Sequence, residues 1–403
     1  MNRSTLSRSC IGCGLALLIL AGCADSPNPA NLDVDAPDFS VWDKKADKDL
    51  RVLTWNTYLG GDTGPLFTLD FTDPTQIPAV LAAVNTFWAA VDASDFPARA
   101  AAIVDEIEDK RPHIVSLQEV VQFAVFDLTI GQVVGGADML ATIQAHLAAR
   151  GLPYELVATQ TNTDSQLPMA LDFTTFQPLK VLAFKDRVAM LRRTDVQITD
   201  LDQGTYAADF NLGPLTLKRG YIRASFAFNG EPYHVVNTHL ETQGLAHIQA
   251  GQVDELLNVV MAGLDGVTVL NGDLNSDAEA DADAPSWTPT YQRLIDSGFE
   301  DAWEQSKSRK KTIGYTCCQD PDLRNGASLL DERIDFMLVR APDGRSMRSK
   351  KGGSIHMEIL GEEQDDRVGA DGLWPADHAG LAAILRIKAK SGKSGKSGKS
   401  NKG

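Results

Sequence analysis

Six short stretches of the chain place chemically capable polar side chains against apolar runs. Asn56 closes Arg-Val-Leu-Thr-Trp, Glu119 follows Ile-Val-Ser-Leu-Gln, His239 follows His-Val-Val-Asn-Thr, and Asp273 and Asn275 follow Val-Thr-Val-Leu-Asn-Gly. Asp335 sits inside Glu-Arg-Ile-Asp-Phe-Met-Leu-Val, and Asp377-His378 precede Ala-Gly-Leu-Ala-Ala-Ile-Leu. Any one of these alone reads equally well as a turn or cap residue, Gly272-Asp273 especially. Together they form a set. Carboxylates and an asparagine are the hard oxygen ligands that Mg²⁺ takes, histidines titrate near neutral pH, and an aspartate beside a histidine fixes its tautomer and raises its pKa. Hydrolysis of a phosphate ester needs these parts: a metal against the phosphate charge, a base or orienter for water, and a cationic donor for the developing charge.

Such side chains act in concert only if stiff elements aim them. Short β-branched runs predict strands over 51–55, 114–117, 154–159, 187–191, 222–228, 233–238, 267–270 and 333–339. Helical patterns cover 98–110, 138–150, 246–264 and 290–297. Strands and helices interleave without an internal repeat, which reads as one α/β unit over residues 50–388. Several of the candidate residues fall where a strand gives way to a loop, a position from which a rigid sheet directs a side chain into a cleft.

The succession TWN, LQEV, NTHLE, NGDLNS, RIDFMLV and ADHAGL resembles, in the same chain order, the deoxyribonuclease-like endonuclease/exonuclease/phosphatase superfamily. That group includes abasic-site endonucleases, neutral sphingomyelinases and inositol-polyphosphate phosphatases. The resemblance implies a four-layered sandwich of two packed mixed β-sheets flanked by helices. It also implies roles. Glu119 looks like the principal metal carboxylate, with Asn56 in the same pocket, Asp377 a further contributor, and Mg²⁺ as the cofactor, Mn²⁺ or Ca²⁺ being alternatives. Asp273 and Asn275 resemble the pair that orients or activates water, and His378 the catalytic histidine with Asp335 as its partner. His239 matches the second histidine of the deoxyribonuclease and sphingomyelinase branches. Arg219 takes the place of a phosphate-contacting arginine, with Lys218 and Arg223 as rivals. Asn162 is the candidate for an additional site residue, and residues 121–178 depart from the compact nuclease pattern.

The rest of the chain bounds the biology. A net charge of -16 over 403 residues repels anions away from a local cationic site, which excludes a histone-like binder but suits an acidic metalloenzyme. Arg3 and Arg8 precede an apolar stretch too short to span a bilayer, ending in Leu20-Ala21-Gly22-Cys23, which resembles the lipobox of bacterial lipoproteins. The expected layout is a signal peptide over 1–22, lipidation at Cys23, a tether over 23–49, the catalytic domain over 50–388 and a Ser/Gly/Lys tail over 389–403. The location is the cell envelope outside the cytoplasm, with Ala24 pointing to the outer membrane. Cys317 and Cys318 read as two unpaired, partly buried thiols, with a vicinal disulfide as the alternative, and in either state without a catalytic or metal role. No aromatic-rich hairpin for membrane insertion stands out, which leaves residues 67–88 as the stretch for one.

The expected function is that of an exported Mg²⁺-dependent phosphodiesterase, a nuclease or a sphingomyelinase- or phospholipase C-like enzyme, tethered to a membrane by its lipid. A sugar- or inositol-phosphate phosphatase is the alternative within the superfamily, and a non-catalytic binding lipoprotein on the same fold the alternative outside enzymology. Nucleic acid, a phospholipid headgroup and a small phosphate ester are the substrate classes.

Overall fold

The computed structural model describes residues 49–211, 216–306, 308–310, 312–341 and 353–387. The expected signal, Cys23, most of the tether and the tail lie outside the described residues.

The first sheet contains β1 (Leu50–Asn56), β2 (Ile114–Gln118), β3 (Gln122–Asp127), β4 (Gln132–Asp138), β5 (Tyr154–Leu171) and β6 (Pro178–Arg193), with two later strands, Gly353–Leu360 and Gly380–Ile387. The second sheet is built on β7 (Ile198–Thr205), β8 (Gly220–Phe228), β9 (Glu231–His239), β10 (Val267–Asp273) and β11 (Asp335–Arg340). The later strands of the first sheet become β12 (Gly353–Leu360) and β13 (Gly380–Ile387) in chain order. The path of the first sheet is β12-β13-β1-β2-β6-β3-β4 with β5 on β6, and that of the second runs from a two-residue strand, Glu300–Asp301, through β11-β10-β9-β8-β7. Both sheets mix orientations: β1 and β2 are parallel, as are β9 and β10.

Side-chain alternation makes the four layers. Val52 faces the second sheet and Leu53 the helices; on the other sheet Val235, Val269 and Met337 face inward while Val236, Leu270 and Leu338 face outward. Covered on both faces, these strands read as continuous apolar runs. The outer face of the first sheet is covered by α1 (Ile77–Ala93), α2 (Phe96–Lys110) and α3 (Met139–Ala149), and that of the second by α4 (Ala246–Glu255) and α5 (Thr290–Asp296).

The sheets are pinned across their interface by amides. The Gln118 Nε2 donates to Asn237 Oδ1 at 2.6 Å, and the Asn237 Nδ2 donates to the carbonyls of Ala189 (2.8 Å) and Leu117 (3.1 Å). Both side chains are fully buried, so each bond is made in a low-dielectric interior where leaving it unmade is expensive.

Several strand and helix boundaries correct the sequence reading. Residues 67–88 are not a hairpin: they lead into α1, whose Val80, Val84 and Phe87 are buried in the core. The helix expected to reach 264 is α-helical only to Glu255 and continues as a π-helical turn, Leu256–Val260. β5 runs far beyond the expected 159, forming with β6 one long hairpin in the stretch where the sequence departs from the compact pattern.

Candidate active site

Both pairs of parallel strands end at the same edge, and the candidate residues sit on those ends. β1 delivers Asn56, and Glu119 follows β2. His239 ends β9 and Asp273 ends β10, directly opposite one another in register. Asp335, which opens β11, is paired with Asp273 on its other side. Asp377 and His378 lie in the approach to β13. Gly272 is required here: its φ is +129° and a Cβ would overlap the Thr238 carbonyl oxygen, so the strand next to Asp273 can come this close to β9 only without a side chain.

Asn56 is the hub between the sheets. Its Nδ2 donates to Asp273 Oδ2 at 3.0 Å and to Glu119 Oε1 at 3.3 Å, while its Oδ1 accepts the Tyr58 N–H. The other Glu119 oxygen accepts the Leu59 N–H at 2.9 Å. Glu119 itself has φ +52°, a left-handed conformation that a non-glycine residue adopts at some cost. The turn is held by Arg187, which donates to Val120 O at 2.8 Å and reaches Asp138 at 2.6 Å. Beneath, the buried Arg99 guanidinium donates to the carbonyls of Thr57, Tyr58 (2.8 Å) and Pro375 (3.0 Å), tying the loop after β1 to the segment before Asp377.

Burial, then the negative charge of Asp335, pushes the Asp273 carboxyl up to about 7. Burial and Glu119 push Asp377 up to about 7 as well, against His378 and Arg99. Glu119 is raised by burial and by Asp186. The histidines go opposite ways. Burial would lower His378, but Asp335, Asp377 and Asp273 overcome it and hold its pKa well above the ordinary value; its Nδ1 is 2.8 Å from Asp335 Oδ2. His239 is driven well below by burial, Arg219 and His378. Its ring nitrogens lie 3.1 and 3.2 Å from Arg219 Nη1, and Asn275 Nδ2 lies 3.2 Å from its Nε2.

The donor set fits a divalent cation. Asn56, Glu119, Asp273 and Asp377 supply hard oxygens, and buried oxygens of Asp377 and Asp335 lack a protein hydrogen-bond partner, Oδ1 in each case. Asp273, Asp335 and His378 also each turn a ligand atom to within 4.8 Å of the others. Carboxyls held near neutrality by burial are groups that a bound cation would return to the charged form.

Asn56, Glu119, Arg219, His239, Asp273, Asn275, Asp335, Asp377 and His378 all lie at this one edge, whereas Cys23 falls outside the described residues. Among the basic candidates, Arg219 faces the cleft and pairs with the buried Glu241 at 3.2 Å. Arg223 instead donates to Val260 O and pairs with Asp200, and Lys218 is exposed. Asn162 is buried, with its Nδ2 3.1 Å from Asp186 Oδ2. Asp186 is the main omission: between Lys185 and Arg187 it reads as one of a solvated cluster, yet it is buried and its charge acts on Glu119 and Arg219. Glu241 was present in NTHLE but unassigned, and Arg99 gives no signal beyond a charge in an alanine-rich helix. Of the two states open to the cysteines, the structure has the alternative: Cys317 and Cys318 are joined as a disulfide, and Cys318 Sγ is 3.9 Å from His378 Nε2.

An α/β/β/α sandwich with acids, amides and two histidines converging on parallel strand ends defines a hydrolase of phosphoester bonds. Residues 53–378 match the model of the Endonuclease/Exonuclease/phosphatase family, and the chain belongs to that family. Among solved structures it is similar to a truncated TDP2 of Caenorhabditis elegans (17% identity, 84% of this chain and 98% of that one, TM-score 0.46). It is also similar to an endonuclease/exonuclease/phosphatase family protein from Leptotrichia buccalis C-1013-b (13% identity, 84% and 100%, TM-score 0.47). A third is TDP2 of D. rerio complexed with single strand DNA product (16% identity, 84% and 99%, TM-score 0.45). No curated protein matches the chain.

Proposed function

We propose that the protein is an exported, divalent-metal-dependent phosphodiesterase held at the cell envelope through lipidated Cys23. The observation that carries the catalytic reading is the convergence of an aspartate–histidine pair and an amide-bridged carboxylate pair on one cleft. His378 Nδ1 lies 2.8 Å from Asp335, which favours its protonated form, while Asp273 is bridged through Asn56 to Glu119.

Mg²⁺ held by Glu119, Asn56 and Asp377 would neutralise phosphate charge and polarise the phosphoryl group. The remaining chemistry belongs to side chains. Asp273, steadied by the Asn275 N–H at 2.8 Å, takes the proton of an attacking water. As the new P–O bond forms, the bond to the leaving oxygen breaks and that oxygen receives the proton of His378. Asp335 stabilises the imidazolium before transfer, and Arg219 supplies two N–H groups suited to a phosphoryl oxygen. His239 stays neutral and orients Arg219 and Asn275. A non-catalytic lipoprotein would have little use for this complete set.

The export reading rests on the basic, apolar and Leu-Ala-Gly-Cys succession at the amino end. The test is hydrolysis of bis(p-nitrophenyl) phosphate, p-nitrophenyl phosphate, plasmid DNA and sphingomyelin side by side, with Mg²⁺ or with EDTA, for the parent and Glu119→Gln. Metal-dependent turnover of a diester, weakened in the variant, supports the proposal. Turnover restricted to the monoester, or undiminished in EDTA, overturns it.

A further inference from the structure

We infer that the tips of two adjacent β-hairpins form a lipid-contacting surface that seats the catalytic edge against a membrane. In part the inference rests on the envelope reading above, which makes a bilayer the surface within reach; the rest comes from the fold.

β6 carries β2 and β3 on successive stretches of one edge: Ile114–Leu117 pair with 189–192, and Gln122–Asp127 with 180–185, while β5 follows it along the other edge. Glu119 lies at the junction between β2 and β3. Everything on β6 from that level towards Pro178, with the β3–β4 hairpin beside it, therefore extends past the catalytic edge. Nine residues of strand make this projection roughly 30 Å long if straight. The two tips lie side by side, since the Leu128 N–H donates to the Leu179 carbonyl at 2.9 Å.

These tips are apolar in water. Phe173 is 63% exposed, and Phe176, Ile130 and Val133 are each 58% exposed. Seven of the fourteen exposed large hydrophobics among the described residues lie between 128 and 134 or between 173 and 179. Chance scatter of single exposed apolar residues does not concentrate in this way. Phe176 is more telling still. Its φ is +55°, in the left-handed region that favours glycine or asparagine, so the backbone is strained while the ring gains no burial. A ring placed there against both local preferences serves a contact outside the chain.

Charge selects the occupant. The chain carries -16 overall, yet residues 128–137 and 173–179 contain no ionisable side chain. Asp127 and Asp172, which flank the tips, accept the turn N–H groups of Thr129 and Thr174 and stay ionised at the base of each tip, with Lys180 near Asp127. A protruding, neutral, apolar tip in an acidic molecule can enter the interfacial zone of a bilayer without the repulsion that the rest of the surface meets. About 25 residues separate Cys23 from Asp49, a span that in extended form reaches roughly 80 Å, enough to present either end of the domain to the membrane.

The experiment uses the full chain with Phe176→Trp, mixed with phosphatidylcholine vesicles whose acyl chains are brominated near the headgroup. The emission added over the parent should shift to the blue, be quenched by the bromolipid and be shielded from iodide. Added emission still open to iodide and indifferent to bromine overturns the inference. In a second arm, Ile130→Ser/Phe173→Ser/Phe176→Ser, made in chains that also carry Cys23→Ser, should lower vesicle affinity at least roughly tenfold and leave hydrolysis of bis(p-nitrophenyl) phosphate unchanged. Equal affinity, or a variant that alters only self-association on a sizing column, also overturns it. Bromine quenching with Cys23 unacylated would sink the lipoprotein reading and leave the hairpin contact standing; an acylated Cys23 without quenching would do the reverse.

Discussion

The two histidines of the cleft are the same residue type at nearly the same depth, and their surroundings shift their pKa values in opposite directions. His378 approaches from the first sheet and meets three aspartates, so it holds its proton. His239 ends a strand of the second sheet, where burial first and then the Arg219 guanidinium hold its pKa well below the ordinary value, even with Asp273 Oδ2 at 3.4 Å. One is an acid and hydrogen-bond donor, the other a neutral acceptor, and neither motif of sequence says which. Role here is assigned by neighbours, through charge placed within a few ångströms at low dielectric.

The comparison breaks most visibly at the acid. His378→Ala should lower kcat by about 10²- to 10⁴-fold while Mg²⁺ affinity, measured by calorimetry, stays close to the parent value. If metal binding is lost as well, His378 belongs to the ligand set and not to proton transfer. Asp335→Asn should follow with a loss of roughly tenfold to a hundredfold, because an amide does not stabilise imidazolium as a carboxylate does. Its distinguishing sign is the His378 ring resonance titrating at lower pH in the variant, and an unmoved titration would remove Asp335 from its assigned place.

Arg219→Gln should mainly raise KM, by about tenfold, through loss of a charged phosphate contact, and should let His239 titrate closer to the ordinary histidine value. A smaller effect concerns stability. Asp273 and Asp377 have folded-state pKa values of about 7 against an unfolded reference of 3.8. Raised carboxyls contribute stability below that reference and lose it as pH rises through about 7, so the metal-free protein should melt lower at about pH 8 than at about pH 5. Mg²⁺ binds the ionised forms, and its stabilisation in a thermal melt should be larger at the higher pH. The smallest effect is expected of Cys317→Ser/Cys318→Ser, which should keep kcat within a few-fold, since no step of the proposed reaction uses sulfur. A larger drop in a folded variant would make the pair a support of His378.

Much of the cleft was legible because its residues sit at the ends of apolar runs, where a polar residue interrupts an otherwise simple pattern. Strands buried on both faces made those runs continuous, so β1, β2, β9, β10 and β11 could be read with small errors at the ends. Asp186 escaped because its flanking Lys185 and Arg187 mimic a solvent-facing cluster; only the pairing of β5 with β6 turns it inward. α1 escaped because alanines and scattered aromatics in 77–93 carry weak periodicity, and burial of Val80, Val84 and Phe87 decides the matter. The hairpin tips were illegible for a related reason: a short apolar run reads the same whether it ends in a core or in solvent.

The Gln118–Asn237 joint has a bearing on what the cleft can accept. Asn56 and Glu119 are mounted on one sheet and His239, Asp273 and Asp335 on the other, and the joint lies one residue below Glu119 and two below His239. Like a calliper with its screw tightened, the joint resists sliding or spreading of the two jaws, because either would leave buried amides unpaired. A cleft set in this way gauges the scissile group itself and leaves the rest of a substrate to surfaces outside the jaws.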